Sequence, residues 1–166
     1  MIKQLSSIKV ENLILKEARP NTNIAELFDG MNKINKTKGN LVQAFNYKNV
    51  INKNHLFAAY INAIMAFDSH SNKAKSLSME MLLFAAMTDQ IGVAIETIGA
   101  RENSKIILFA NGKGAFDKIK SSLKEVKDFK PSDQHTRSAL KKFGIKCAED
   151  PDRLMLQKMA MSRLKL

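Results

Sequence analysis

The sequence predicts an α+β fold, with a small, mostly antiparallel sheet of about three to four strands covered by about six helices. Short runs rich in β-branched or alternating residues occur near the start and in the middle of the chain. Longer runs with apolar residues at three- and four-residue steps fill much of the remainder. Because strands and helices do not alternate strictly, a parallel α/β sheet is not favoured.

Three segments predict strands. Ile8–Leu15 carries β-branched residues with rough alternation, and Leu41–Tyr47 alternates between apolar and polar side chains. Lys105–Ala110 contains an unbroken apolar run, which is typical of a strand buried on both faces.

Capping residues and apolar spacing predict the helices of the first two thirds. Asn23–Ile34 has its apolar side chains on one side, and Asn52 or Asn54 can cap a second helix that reaches residue 67. Ser76 can cap the next segment. Glycines at 92 and 99 mark a weak point and an end there, so we expect two helices, over about 77 to 87 and 90 to 98.

Three further helices are predicted near 114–127, 132–143 and 151–165. The last begins with Asp150-Pro151, a capping residue followed by a proline whose missing N–H costs nothing in the first turn. No repeat or linker divides the chain, so we expect a single domain over residues 1–166.

Composition indicates a cytoplasmic protein without a membrane partner. No apolar run reaches the roughly 18 to 20 residues that a membrane span needs. The N-terminus lacks the layout of a signal peptide. The single cysteine, Cys147, excludes an internal disulfide framework and fits a reducing compartment.

The net charge of +11 favours a polyanionic partner such as RNA. The charge is uneven, since residues 113–166 hold 14 Lys and Arg against 7 Asp and Glu. The alternative is that the charge only serves solubility or adaptation to a salty or acidic cytoplasm.

Candidate catalytic and ligand-binding patterns are weak, and we expect no enzyme activity, cofactor or metal. Asn111–Asp117 follows a strand and opens a helix, but it lacks the glycine spacing of nucleotide-binding loops. Glu80 and Asp89 would lie about 13 Å apart along one helix and on opposite sides. Glu80 in a first turn suits the helix dipole without a catalytic role. The histidines and the cysteine show no zinc-ligand spacing.

Two helices are apolar over more of their circumference than one core requires. The first starts after Ser76, and the second covers Leu154–Leu166, where lysine and serine occupy one narrow arc. Burial at the centre of the monomer explains one such helix easily. Two of them favour a face that another protein covers.

Four segments then occur in a fixed order: His55–Ala63, Ala74–Leu77, Glu80–Ala86 and Gln90–Gly99. Together they resemble the signature of KEOPS complex accessory subunits of the archaeal type, the family of the PRPK-binding protein. The match covers roughly residues 52 to 112.

The resemblance implies a non-enzymatic subunit that binds and regulates a small kinase-like ATPase, its direct partner. With the rest of the complex, which includes a sugar-kinase-like catalytic subunit, that ATPase serves to install threonylcarbamoyl on the adenosine next to the tRNA anticodon. Family members in archaea also help to hold tRNA by its 3′ CCA end, which makes tRNA a second expected partner.

Contact residues follow from this resemblance as expectations. The kinase docking face should comprise Ile91, Ile95, Ile98, Leu156 and Met159. An aspartate at Ile95 or Ile98 should then abolish kinase binding while the monomer stays folded. For tRNA we expect contacts from Lys73, Lys75, Arg101 and Lys113, and the alternative is that these are solvated surface residues.

The chain departs from the family where Ser-Gly, and then Arg or Lys before Gln-Ile, are usual. Here Ala86-Met87 and Asp89 precede Gln90-Ile91. Asp89 argues against a phosphate contact at that corner, and Met87 is expected to add apolar surface suited to protein contact. Two other functions stay open: a stand-alone RNA- or DNA-binding domain, and a small enzyme with an unfamiliar site.

Overall fold

A computed structural model describes residues 8–146 and 150–164, so Cys147 and the last residues of the predicted final helix lie outside it. The described residues form seven α-helices and four β-strands. In chain order these are β1 Ile14–Pro20, α1 Ile24–Asn35, β2 Val42–Asn46, α2 Lys53–Asp68, α3 Leu77–Ala86, α4 Ile91–Ile98, β3 Ile106–Ala110, α5 Lys113–Ile119, β4 Leu123–Asp128, α6 Asp133–Lys142 and α7 Pro151–Met161. The predicted α+β class is confirmed.

Two compact units make up the chain. The sheet unit contains Lys9–Tyr47 and Gly99–Phe129, and the helical unit contains Lys48–Ile98 and the described residues from Lys130 onward. The helical unit therefore comes largely from a sequence insertion between β2 and β3.

The sheet has the strand order β2-β3-β1-β4, and every neighbouring pair is antiparallel. Two segments, β1-α1-β2 and β3-α5-β4, interleave their strands, which is the split βαβ arrangement of ferredoxin-like folds. All five residues of β3 are buried, so the prediction of a fully buried strand at this position is confirmed.

One face of the sheet packs against α1 and α5. Alternate residues of the strands join apolar residues of both helices in a single core. Its buried members are Ala18, Leu27, Met31, Ile34, Val42, Ala44, Ile106, Leu108, Ala110, Ala115, Ile119 and Leu123. The helices approach closely at Gly30, where an added Cβ would lie 3.3 Å from Cδ1 of Ile119. Asn23 caps α1 by accepting the backbone N–H of Glu26.

The prediction of a strand over Ile8–Leu15 is wrong in position. Val10–Asn12 forms a 3-10 turn, and β1 begins at Ile14. The strand continues through charged residues that gave no apolar pattern. Glu17 within it is buried, with its Oε1 atom 2.9 Å from Nζ of Lys127 and 3.5 Å from Nζ of Lys105.

The prediction of one helix over 114–127 is wrong in its second half. The helix α5 ends at Ile119, and β4 follows at the edge of the sheet. Ion pairs join β4 to β1, with Lys16 to Asp128 at 2.6 Å and Arg19 to Glu125 at 3.1 Å. Pairing with β1 therefore overrides the helical spacing of the β4 sequence.

The predicted helix caps of the helical unit are confirmed. The side chains of Asn52, Ser76 and Asp150 each accept a backbone N–H in the first turn of α2, α3 and α7. The helix predicted near 132–143 is also present, as α6. Among the described residues no single helix is long and apolar enough to cross a membrane, although α3 and α4, bent by 69°, reach that length and composition together.

Candidate protein-docking surface

The α3 helix lies inside the helical unit. Its residues from Glu80 to Ala86 are all buried, and it packs mainly against α2 and α4. The apolar surplus of this segment therefore belongs to the core of the unit, and the partner-covered face predicted here cannot include α3 itself.

Glu80 is fully buried and holds three parts of the helical unit together. Its Oε2 atom accepts the backbone N–H groups of Lys73 and Ala74 at 3.0 and 2.7 Å. Its Oε1 atom accepts Nη2 of Arg163 at 2.8 Å. The helix-start position was predicted, but the carboxylate does more than interact with a helix dipole, because it neutralises a buried guanidinium.

The prediction of two helices over about 77 to 87 and 90 to 98 is confirmed, and the break between α3 and α4 occurs at Met87, while Gly92 lies inside α4. Met87 has φ 55° and ψ 44°, a left-handed conformation that usually requires glycine. The N–H of Met87 donates to the carbonyl of Phe84, and that of Thr88 donates to the carbonyl of Leu83. These two bonds form a Schellman motif. The side chain of Met87 is buried, which corrects the expectation that it adds exposed apolar surface.

The α4 helix leaves most of its apolar side chains exposed. Only Ala94 and Ile98 are buried on it. Ile91, Val93 and Ile95 have exposed fractions of 44%, 42% and 49%. We call these three residues the α4 surface. A residue outside the helix fixes the last turn of α4, because the side-chain amide of Asn49 donates to the carbonyl of Thr97.

The α7 helix is attached at its start and near its end. Asp152 accepts the side-chain amides of Asn52 and Asn54, both at 2.7 Å. Beyond the helix, Arg163 pairs with Glu80 and lies 4.1 Å from the ring centroid of Phe84. Met155 and Met159 point into the unit, whereas Leu156, Met161 and Leu164 are exposed.

The predicted docking set is therefore split. Ile91, Ile95 and Leu156 are exposed, but Ile98 and Met159 are fully buried. We correct the set by removing these two, because side chains inside the core are not accessible to a partner. Val93 replaces them on α4. Sequence spacing could not identify it, since only the packing of Ala94 and Ile98 decides which side of α4 is free.

The four residues expected to contact tRNA are divided between the two units. Lys73 and Lys75 are exposed in the connection before α3, in the helical unit. Arg101 and Lys113 are exposed in the sheet unit, one before β3 and the other after it. Because β3 has five residues, these two are separated by roughly 15 Å or more.

The side chain of His55 is occupied by structural contacts. His55 is fully buried, with Nδ1 accepting the N–H of Ile51 at 3.1 Å and Nε2 donating to the carbonyl of Ala85 at 2.8 Å. Burial lowers the pKa of His55 to about 4, although the hydrogen bond to Ala85 acts in the opposite direction and raises it. Within residues 8–146 and 150–164, no group of three or more His, Cys, Asp or Glu side chains could hold a metal.

Comparison with known proteins agrees with a surface of this kind. No curated protein matches the chain significantly. Residues 20–161 match the model of a family described as kinase binding protein CGI-121. This match begins at the last residue of β1 and ends at the last residue of α7, so it covers most of both units. The chain therefore belongs to the kinase-binding protein CGI-121 family.

Proposed function

We propose that residues 1–166 act as a single non-catalytic accessory subunit of the KEOPS complex, which docks on the kinase-like ATPase subunit through the α4 surface. The observation that carries this proposal is the exposure of Ile91, Val93 and Ile95 on a helix whose core contacts are only Ala94 and Ile98. In a chain of a kinase-binding family, such a surface supports contact with the kinase.

Energetics support a small docking site of this kind. Covering each half-exposed isoleucine contributes about 1 to 2 kcal/mol by apolar burial. Few residues usually dominate an interface, and they lie near its centre. The helix α4 is anchored by Asn49 and by the Schellman motif at Met87, so little ordering cost opposes docking. Leu156 on α7 adds exposed apolar surface in the same unit.

We further propose that the subunit helps to bind tRNA, by its 3′ CCA end, for threonylcarbamoyladenosine modification. The net charge of +11 supports a nucleic-acid partner. Lys73, Lys75, Arg101 and Lys113 remain predicted contacts. Reversing these four charges is expected to weaken tRNA binding and to reduce its salt dependence. An unchanged affinity and salt slope would remove them from the proposal.

The docking proposal is tested by changing Ile91 and Ile95 to glutamate, which keeps helix propensity but places charge on the α4 surface. Binding to the purified kinase subunit should weaken at least tenfold for each change. Val126→Glu is a matched control, because Val126 is similarly exposed at 40% but lies in the sheet unit. If all three variants bind the kinase as the wild type does, α4 is not the docking surface.

Co-purification from the native cells separates this proposal from a stand-alone nucleic-acid-binding domain. A kinase-like protein in the purified material, together with tRNA, is expected. Recovery of RNA without such a protein would favour the stand-alone domain.

A further inference from the structure

A basic corner lies at one end of the sheet unit, where the loop after α1 meets the loop after β3. The first loop carries Lys36 and Lys38, and the second leads directly into Lys113, the first residue of α5. All three side chains are exposed. They lie at the opposite end of β3 from Arg101 and in a different unit from Lys73.

Asn111 joins the two loops with three hydrogen bonds. Its N–H donates to the carbonyl of Leu41 at 3.0 Å, and its Oδ1 accepts the N–H of Leu41 at 2.8 Å. Its Nδ2 donates to the carbonyl of Gly39 at 2.9 Å. Because Lys38 precedes Gly39 and Lys113 follows Asn111 by two residues, these bonds keep the backbone at Lys38 close to the backbone at Lys113.

The first loop is further fixed by its own hydrogen bonds. Asn35 exchanges two of them with the backbone of Val42, at 2.8 and 3.0 Å. Thr37 donates to the carbonyl of Ile34, and Asn40 donates to that of Thr37. The corner is therefore a preformed arrangement that needs little ordering on binding.

The two loops of this corner carry no acidic residue. Asp117 lies one helical turn from Lys113 on α5, but it pairs with Lys120 at 3.0 Å. No Asp or Glu occurs between Gly30 and Phe67, nor between Asn103 and Phe116. Among the described residues, no carboxylate forms an ion pair with Lys36, Lys38 or Lys113. Five other cations of the sheet unit are paired with carboxylates: Lys16, Arg19, Lys105, Lys120 and Lys127. Lys9, Lys118 and Lys124 form no ion pair with a described carboxylate, so the corner is distinguished by the clustering of its lysines.

The backbone beside these lysines is open to a ligand. A Cβ added to Gly39, Gly112 or Gly114 would meet no atom within 4 Å. Gly39 has φ 83°, which itself favours glycine, but neither packing nor a positive φ explains glycine at positions 112 and 114. Glycines with open space in front of them allow a partner to approach the main chain closely.

We propose that this corner binds the sugar-phosphate backbone of RNA. The proposal rests on the proposed role in tRNA binding. It adds a second contact surface of the protein, distinct from the one that would bind the 3′ end of the tRNA. Three unpaired lysines on a rigid, glycine-rich surface fit successive phosphates, which lysine recognises as a point charge. The corner has no exposed aromatic ring for stacking on bases, so contact is independent of sequence.

The test is a triple variant, Lys36→Glu with Lys38→Glu and Lys113→Glu, in the full-length protein. Binding of labelled tRNA is measured by fluorescence anisotropy at several salt concentrations. The affinity for tRNA should fall at least about tenfold at low salt. The magnitude of the slope of log K against log salt should decrease by about 2, because each of the three lost phosphate contacts contributes roughly 0.7 to it. The same result is expected with tRNA that lacks the 3′ CCA.

A matched control reverses three other exposed lysines of the sheet unit that form no ion pair with a described carboxylate: Lys9, Lys118 and Lys124. It changes the net charge equally and should retain most of the affinity. An equal loss of tRNA affinity in both triple variants would overturn the proposal for the corner, because net charge alone would then explain binding. Polyglutamate that displaces tRNA from the wild type as effectively as unlabelled RNA would also overturn it, in favour of an acidic protein partner.

Failure of the corner is distinguishable from failure of the proposed function. If the wild type binds no tRNA, the tRNA part of that function falls together with the corner. If the wild type binds tRNA and the corner variant binds equally well, only the corner is wrong. Kinase binding of the corner variant should equal that of the wild type in either case.

Discussion

Glu80 and Arg163 form a buried ion pair, with Nη2 of Arg163 2.8 Å from Oε1 of Glu80. The pair ties the segment after α7 to the first turn of α3, 83 residues earlier in the chain. Nε and Nη1 of Arg163 are also buried and have no acceptor among the described residues. The guanidinium is thus only partly compensated, and the carboxylate of Glu80 and the ring of Phe84 are the groups that hold it.

We expect Arg163→Met to destabilise the protein by about 3 to 5 kcal/mol, because it leaves the buried carboxylate of Glu80 without its cation. Urea unfolding followed by circular dichroism measures this change. The double variant Glu80→Gln with Arg163→Met should be less destabilised than the sum of the two single variants, by about 1 to 3 kcal/mol. Additive losses would show that the pair is not energetically coupled.

Stability should fall in mild acid because of His55. Its folded-state pKa of about 4 lies below the unfolded value of 6.5, so the neutral form is favoured by folding. The corresponding stability is fully present above pH 6.5 and is lost progressively as the pH falls towards 4. Between pH 7.5 and 5 the loss should be about 2 kcal/mol.

Urea midpoints of the wild type and of His55→Gln at both pH values measure this effect. The glutamine variant should be less stable at pH 7.5, and its disadvantage should shrink at pH 5. A disadvantage that stays constant with pH would mean that another group causes the acid sensitivity.

Substitutions at Met87 should reverse the usual order of alanine and glycine in helices. Both Met87→Ala and Met87→Gly remove the same buried side chain, but only glycine adopts the left-handed conformation at φ 55° without steric cost. Met87→Gly should therefore be more stable than Met87→Ala by about 1 kcal/mol. At Gly92, inside α4, alanine should instead be the more stable residue, because a Cβ there meets no atom within 4 Å.

Acidic substitutions along α4 should distinguish its buried positions, which are needed for folding, from its exposed positions, which are available for docking. Ile98→Asp places a charge in the core, where Ile98 is fully buried, and should unfold the protein or lower its stability by more than 4 kcal/mol. Ile95→Asp should change stability by about 1 kcal/mol or less, since this side chain is half-exposed. Thermal unfolding of both variants tests the contrast. Equal stabilities would contradict the burial of Ile98.

Sequence patterns were informative where a local interaction decides the structure. The capped helix starts at Ser76 and Asp150, and at Asn52 as one of two candidates, could be predicted because a cap bonds to N–H groups within three residues of itself. The docking residues were only half predicted. Spacing showed that α4 is apolar, but Ala94 and Ile98 pack inward while Ile91 and Ile95 face out, and this depends on where α3 lies.

The sequence by itself determined the α+β class, the capped helices, the excess of positive charge and membership of the kinase-binding family. Only the tertiary structure decided that residues 123–128 form a strand and that Glu80 pairs with Arg163. It also brought Lys38 and Lys113 to one corner. The physical reason is that each of these outcomes depends on partners dozens of residues away, whereas local patterns act over one turn of helix or one strand.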